Sequence, residues 1–295
     1  MTVRRVISRA GFVLGAALGL AFIASWTLLL DGGNAYDLHA YWVVNPVAPY
    51  AHQGLVGDAF QYTPAAAWVG AVIHLLPFGV VAVLWRLSQL GVILAAAGPF
   101  SILVLLTVPV ASELNLGNIN IFLGAAVVVG FQSPAAWALI LLTKPTAGIA
   151  LLWFVARRDW RSLRIAIGVT LILAAISFVV TPQAWFDYVA YMLSRPAPSV
   201  QGWPVLWVRL PFAALVAILG GLRGWRWTAL VAAWLALPVW WDVSPSMLVA
   251  GLAFTWRSPL LGKNYARWPV LWRRIPGPPP PMPPAPGKEQ TEAPA

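Results

Sequence analysis

Asp31-Gly32-Gly33-Asn34-Ala35-Tyr36-Asp37-Leu38-His39-Ala40-Tyr41-Trp42 opens the stretch on which the fold turns. It continues through Pro49-Tyr50 and closes as Phe60-Gln61-Tyr62-Thr63-Pro64. This is the only long polar interval before the C-terminal tail. It holds three of the nine acidic residues (Asp31, Asp37 and Asp58) and no Lys or Arg. Hydrophobic runs flank it on both sides, so it reads as a loop between membrane helices.

The composition supports that reading. The 295 residues are 60% hydrophobic and 9% charged, with a mean hydropathy of +0.76. A soluble domain averages about 45–50% apolar and roughly 25% charged. The chain therefore reads as an all-α polytopic membrane protein. With no cysteine, neither a disulfide nor a thiolate metal site can form. The net charge of +10 does not point to nucleic acid, because the arginines sit in short loops between apolar spans, as the positive-inside rule expects. The 18 Trp and seven Tyr suit membrane interfaces.

Working outward, Arg4, Arg5 and Arg9 precede an apolar run over 11–30. A secretory leader begins the same way, but about twenty residues suffice to span and no clear cleavage site follows. The run reads as a retained first helix with a cytoplasmic N-terminus, which places the Asp31–Pro64 stretch outside. Further spans are expected over 65–76, 80–98, 101–111, 121–131 and 134–155, with breaks at Pro77-Phe78-Gly79, at Pro99 and over 112–120. Six crossings bring Arg157, Arg158, Arg161 and Arg164 to the cytoplasm; two short helices that penetrate only partway are the alternative. A span over 165–180 leads to a second outer segment reaching Trp203. Within it Trp185-Phe186-Asp187-Tyr188-Val189-Ala190-Tyr191-Met192 suits a helix lying in the interface. Spans over 204–221, 227–241 and 247–256 follow. The expected architecture is one domain, 1–275, of about ten transmembrane helices with two outward loops, multi-pass in the cell membrane, both termini cytoplasmic. Residues 276–295 read as a disordered proline-rich tail. There is no internal repeat.

Chemistry has few places to reside. No phosphate loop, zinc motif or Ser-His-Asp motif is readable. His39, His52 and His74 lack the i, i+4 spacing of a helical metal pair, and neither metal nor cofactor is called for. Asp37 lies among aromatic residues beside the membrane surface. A partly desolvated carboxylate there can serve as a general base, or it can be an ordinary solvated loop residue.

Four motifs carry a resemblance to glycosyltransferase family 87, membrane mannosyltransferases and relatives of the GT-C superfamily. Asp37-Leu38-His39-Ala40-Tyr41-Trp42 resembles the family's Asp-x-x-x-Tyr-Tyr after the first helix. Pro49-Tyr50 followed by Phe60-Gln61-Tyr62-Thr63-Pro64 resembles Pro-Tyr then Phe-x-Tyr-Pro-Pro. Leu116-Gly117-Asn118-Ile119-Asn120 resembles Gly-Gln-Val-Asn. Leu142-Thr143-Lys144-Pro145 resembles Leu-Lys-Pro, with Arg157-Arg158-Asp159-Trp160-Arg161 as the basic turn after it. The match runs over roughly 11–195, in order.

The resemblance implies a GT-C-like bundle and a hexosyltransferase. It would move a hexose, mannose first, from a polyprenyl-phosphate carrier to an envelope glycolipid or glycan on the outer face, with inversion. Membrane lipid is the surrounding partner and nucleic acid is not one. A lipid phosphate leaves without a general acid, so one carboxylate suffices where glycoside hydrolysis needs a pair. The motif assigns that role to Asp37; Asp31 reads as a helix-boundary residue, and Asp58 is the rival acid. Donor phosphate needs cations or N–H donors. Arg195 and Arg209 are the outer candidates, with snorkelling the other reading for Arg209. Lys144 is the mid-span candidate, or a partner for a carbonyl freed by Pro145. Tyr41 and Tyr62, with Tyr36, Trp42 and Trp185, can stack on sugar faces or anchor the interface. Arg86 and Glu113 are expected as a buried structural pair on the inner side, away from the chemistry. Asn118 and Asn120 would satisfy helix ends, and His74 would pack between helices. Two other readings remain: a transporter or flippase of a lipid-linked anion using Lys144, Arg86 and Arg209, and a noncatalytic membrane partner of GT-C fold.

Overall fold

The computed structural model describes residues 3–29, 35–51, 59–194, 204–256 and 258–261. Asp31, His52, Asp58, Arg195, the expected cytoplasmic segment over 262–274 and the tail over 276–295 lie outside the described residues. Among the described residues every regular element is helical. The α-helices are α1 (Val3–Leu29), α2 (Tyr36–Val43), α3 (Pro64–Ile73), α4 (Phe78–Ala97), α5 (Ser101–Leu105), α6 (Val108–Leu116) and α7 (Asn120–Gly130). They continue as α8 (Trp137–Thr143), α9 (Leu152–Arg157), α10 (Trp160–Val180), α11 (Pro182–Ser194), α12 (Leu206–Arg223) and α13 (Trp227–Leu235). A 3₁₀ segment, Ser244–Phe254, follows.

Among the described residues three runs are long and apolar enough to cross a membrane: Phe78–Leu105, Trp160–Val180 and Leu206–Arg223. In the first, Pro99 does not separate two spans as expected. Gly98, at φ +51, turns the chain through one 3₁₀ step, and α5 resumes at Ser101. The lost helical N–H of a proline is affordable in such a first turn. α10 has only 11% of its apolar window buried and exposes Leu171, Ile172, Ile176 and Val179, a face fit for lipid.

Three stretches expected as separate crossings fold differently. α3 is ten residues, about 15 Å long against a hydrocarbon core of about 30 Å. Both its ends meet α2: the Tyr62 and Tyr41 hydroxyls are 2.9 Å apart at one end, and the His74 ring nitrogen sits 2.9 Å from the Trp42 carbonyl at the other. Residues 65–76 therefore stay at the level of α2. Similarly, α6 and α7 meet at a 106° bend. The bend lies against Asp37, because Asn118 donates to its carboxylate at 2.6 Å. The 112–120 break is thus beside the polar stretch, not on the opposite side as the crossing count expected. A nine-residue α13 replaces the expected span over 227–241, since Pro238 cannot continue a helix and the chain leaves it at Ala236.

The main core joins α7, α8, α9, α13 and the 244–254 segment, centred on Trp137, Phe154, Leu123, Leu230 and Met247. α11 buries Ala184 and Tyr191 and exposes Phe186, Val189 and Leu193, the amphipathic pattern expected of its sequence.

Candidate active site

α2 carries the first component. Asp37 sits in its first turn, where unpaired backbone N–H groups favour a carboxylate. The α6 C-terminus carries the second. Gly117 adopts φ +69, and a Cβ on it would stand 2.7 Å from the Leu38 Cβ. Only glycine combines the left-handed turn with that approach, and this brings Asn118 onto Asp37. Asn118 also braces itself, its Oδ1 accepting from the Ile119 N–H at 2.7 Å.

Below the bend, the fully buried Glu113 holds three donors: the Ile121 N–H at 3.0 Å, the Asn120 amide at 3.2 Å and the Ser246 hydroxyl at 2.9 Å. A buried carboxylate is tolerated only when so satisfied. Arg86 finds other partners, donating to the Leu114 and Asn115 carbonyls at 3.1 Å each. The expected Arg86–Glu113 pair is thus replaced by two separate anchors of the bent α6–α7 pair.

Lys144 supplies the cation. Pro145 disfavours helical dihedrals at the residue before it, and Lys144 sits at φ −129, ψ 75, where α8 ends. Its ammonium donates to the Asn120 Oδ1 at 2.7 Å. One relay therefore runs Asp37–Asn118 and, two residues on, Asn120–Lys144, with Glu113 fixing the segment between.

Asp37, Asn118 and Lys144 line a cavity of about 400 Å³ together with Tyr36, Tyr41 and Tyr62 and with Pro238, Val239, Trp241, Asp242 and Val243. Burial pushes the Asp37 carboxyl above its ordinary value, against the opposing pulls of the Asn118 hydrogen bond and the Lys144 charge. Next to it lies a second, almost wholly apolar cavity of about 730 Å³, formed by α3, α8 and α10. Tyr41, Tyr62 and Thr143 line both.

Asp37, Tyr41, Tyr62 and Lys144, singled out in the sequence, therefore share one cavity. Arg195 lies outside the described residues. Arg209 is placed elsewhere, donating to the Pro204 carbonyl at 2.8 Å and the Leu235 carbonyl at 2.6 Å, with its guanidinium 4.5 Å from the Trp240 ring centre. Sequence reasoning missed Trp241 and Asp242, which it left at and just beyond the end of an expected span over 227–241. The one available signal was an aromatic–acid pair three residues beyond a helix-ending proline.

The profile of glycosyltransferase family 87 matches residues 60–262, so the Asp37 segment precedes the matched region. The chain is 30% identical over 192 residues to a polyprenol-phosphate-mannose-dependent alpha-(1-2)-phosphatidylinositol pentamannoside mannosyltransferase of Mycolicibacterium smegmatis, covering 53% of this chain and 46% of the relative. It is 28% identical over 170 residues to the like-named protein of Mycobacterium tuberculosis, covering 47% and 39%. The matches thus span less than half the length of these curated relatives. No solved structure matches the chain.

Proposed function

Because the chain belongs to glycosyltransferase family 87, we propose that it transfers a hexose, mannose first, from a polyprenyl-phosphate carrier to a hydroxyl of an envelope glycolipid or glycan. The transfer takes place on the outer face of the cell membrane. The names of the relatives point to the donor. The observation that carries the reading is the junction of the two cavities. A polar chamber holding a carboxylate and an ammonium opens beside an apolar groove, which is the layout an anionic head on a hydrocarbon tail requires.

The residues divide the work. The isoprenoid chain lies in the groove between α3, α8 and α10. Lys144 faces the donor phosphate and offsets the charge that grows as it leaves. Asp37, kept ionised by Asn118 and Lys144, accepts the proton of the acceptor hydroxyl. That oxygen bonds to the anomeric carbon while the bond to phosphate oxygen breaks, so the configuration inverts in one displacement. The departing phosphate is stable as an anion and needs no general acid. Tyr41 and Tyr62 stand where the groove meets the chamber and guide the sugar between them.

The test is donor selectivity. The purified full chain should move radiolabel from polyprenyl-phosphate-mannose to a mannosylated glycolipid and leave GDP-mannose unused. Transfer from the nucleotide sugar, or movement of intact lipid-linked sugar across vesicles without bond cleavage, would overturn the reading.

A further inference from the structure

We propose that Trp241 and Asp242 form the platform on which the acceptor sugar rests, the neutral hexose ring whose hydroxyl meets Asp37. This rests on the glycosyltransferase reading above. Both residues line the polar cavity together with Asp37 and Lys144. Neither lines the apolar groove, so they stand away from the entrance used by a lipid-linked donor.

The segment that presents them is held from three directions. Trp240 is buried, stacks on Trp234 with centroids 4.3 Å apart, and donates its indole N–H to the Trp234 carbonyl at 2.9 Å. The Arg209 guanidinium also lies 4.5 Å from the Trp240 ring centre and ties down the Leu235 carbonyl. The turn itself is closed reciprocally. The Trp241 N–H donates to the Ser244 hydroxyl at 2.9 Å, and the Ser244 N–H donates to the Trp241 carbonyl at 2.9 Å. Ser246, just beyond, is bonded to Glu113, so the turn and the Asp37–Lys144 relay share one support. On this fixed base Trp241 remains 44% exposed, and Asp242 is exposed beside it.

The chemistry selects the ligand. An indole face offers a broad, rigid apolar surface to the C–H face of a hexose. An ionised carboxylate accepts hydrogen bonds only, so it suits the hydroxyls of a neutral sugar and repels a phosphate. A donor headgroup is therefore a poor occupant of this end of the chamber, and a hydroxyl-rich acceptor a good one. Trp241 as a simple interface anchor would use the same exposed ring, but without a sugar and without Asp242.

Saturation-transfer NMR with α-linked mannobiose on the detergent-purified full chain separates these cases. Wild type should pass saturation to the mannobiose ring protons. Trp241→Ala should weaken binding about tenfold, while Trp241→Phe, which keeps a ring, should stay within about threefold. Asp242→Asn should also weaken it, with melting temperatures unchanged throughout. The readout needs no bond cleavage and no lipid-linked donor, so its outcome stands apart from that of transfer assays. No signal from wild type, wild-type binding by Trp241→Ala, or equal losses in Trp241→Ala and Trp241→Phe would overturn the platform.

Discussion

Asp37 is asked to do two things at once: remain an anion near neutral pH and be basic enough to take a hydroxyl proton. Burial supplies the basicity, while Asn118 and Lys144 keep the anion in place. Loss of such a base typically costs about 10²–10⁴ in rate, so Asp37→Asn should lose transfer by that factor with its melting temperature intact. A pH profile follows from the direction of the shift. A carboxylate base works only when ionised, so the rate falls as pH drops through its pKa. With that pKa raised, the acid limb should lie above the ordinary carboxylate range of about 4. Asn118 donates to the charged form and lowers the pKa; Asn118→Ala should therefore move the acid limb to still higher pH. An unmoved limb would show that Asn118 does not act on the titrating group.

At the scale of elements, the site depends on the bent α6–α7 pair, and two substitutions test the bend from different sides. Gly117→Ala places a Cβ in a left-handed turn, at a cost of roughly 1–2 kcal/mol, and against Leu38 of the helix that carries Asp37. It should lower both the melting temperature and the transfer rate; wild-type behaviour in both would mean the approach of α6 to α2 is not tight. Glu113→Ala removes the acceptor of Ile121, Asn120 and Ser246 together. Each buried group left unsatisfied costs about 1–3 kcal/mol, so the thermal transition should fall well below that of Glu113→Gln, which keeps an acceptor oxygen. Equal transitions would contradict the anchoring role. The sequence reading had set Glu113 away from the chemistry and paired it with Arg86, whereas it braces the bend that carries Asn118 onto Asp37. Hydropathy marks which residues are apolar; it carries no signal for the 106° bend between α6 and α7.

The same distinction governs the whole molecule. The membrane class and the polar stretch around Asp37 were legible because composition and loop polarity act locally; Lys144-Pro145 was read as the middle of one span over 134–155, where the structure ends α8 at Thr143. The crossing count was not legible, because α3 and α13 are apolar enough to look like spans and too short to be them. The Trp241–Asp242 wall was hidden for another reason: it meets Asp37 only through folding, about two hundred residues later in the chain. The revised arrangement has a direct consequence. Tyr36 and Ser112 line one cavity, although the crossing count had put them on opposite sides. With no native cysteine to interfere, Tyr36→Cys and Ser112→Cys should both react with an impermeant maleimide from the same face of sealed vesicles. Labelling from opposite faces would contradict the shared cavity.

The central claim is that a single carboxylate, Asp37, drives sugar transfer from a lipid phosphate. The most direct measurement follows radiolabel from polyprenyl-phosphate-mannose to a mannosylated glycolipid, with the wild-type full chain and Asp37→Asn at matched amounts of folded protein. The account predicts transfer by wild type and its loss, by about 10² or more, in the variant. Transfer by Asp37→Asn at the wild-type rate would contradict it.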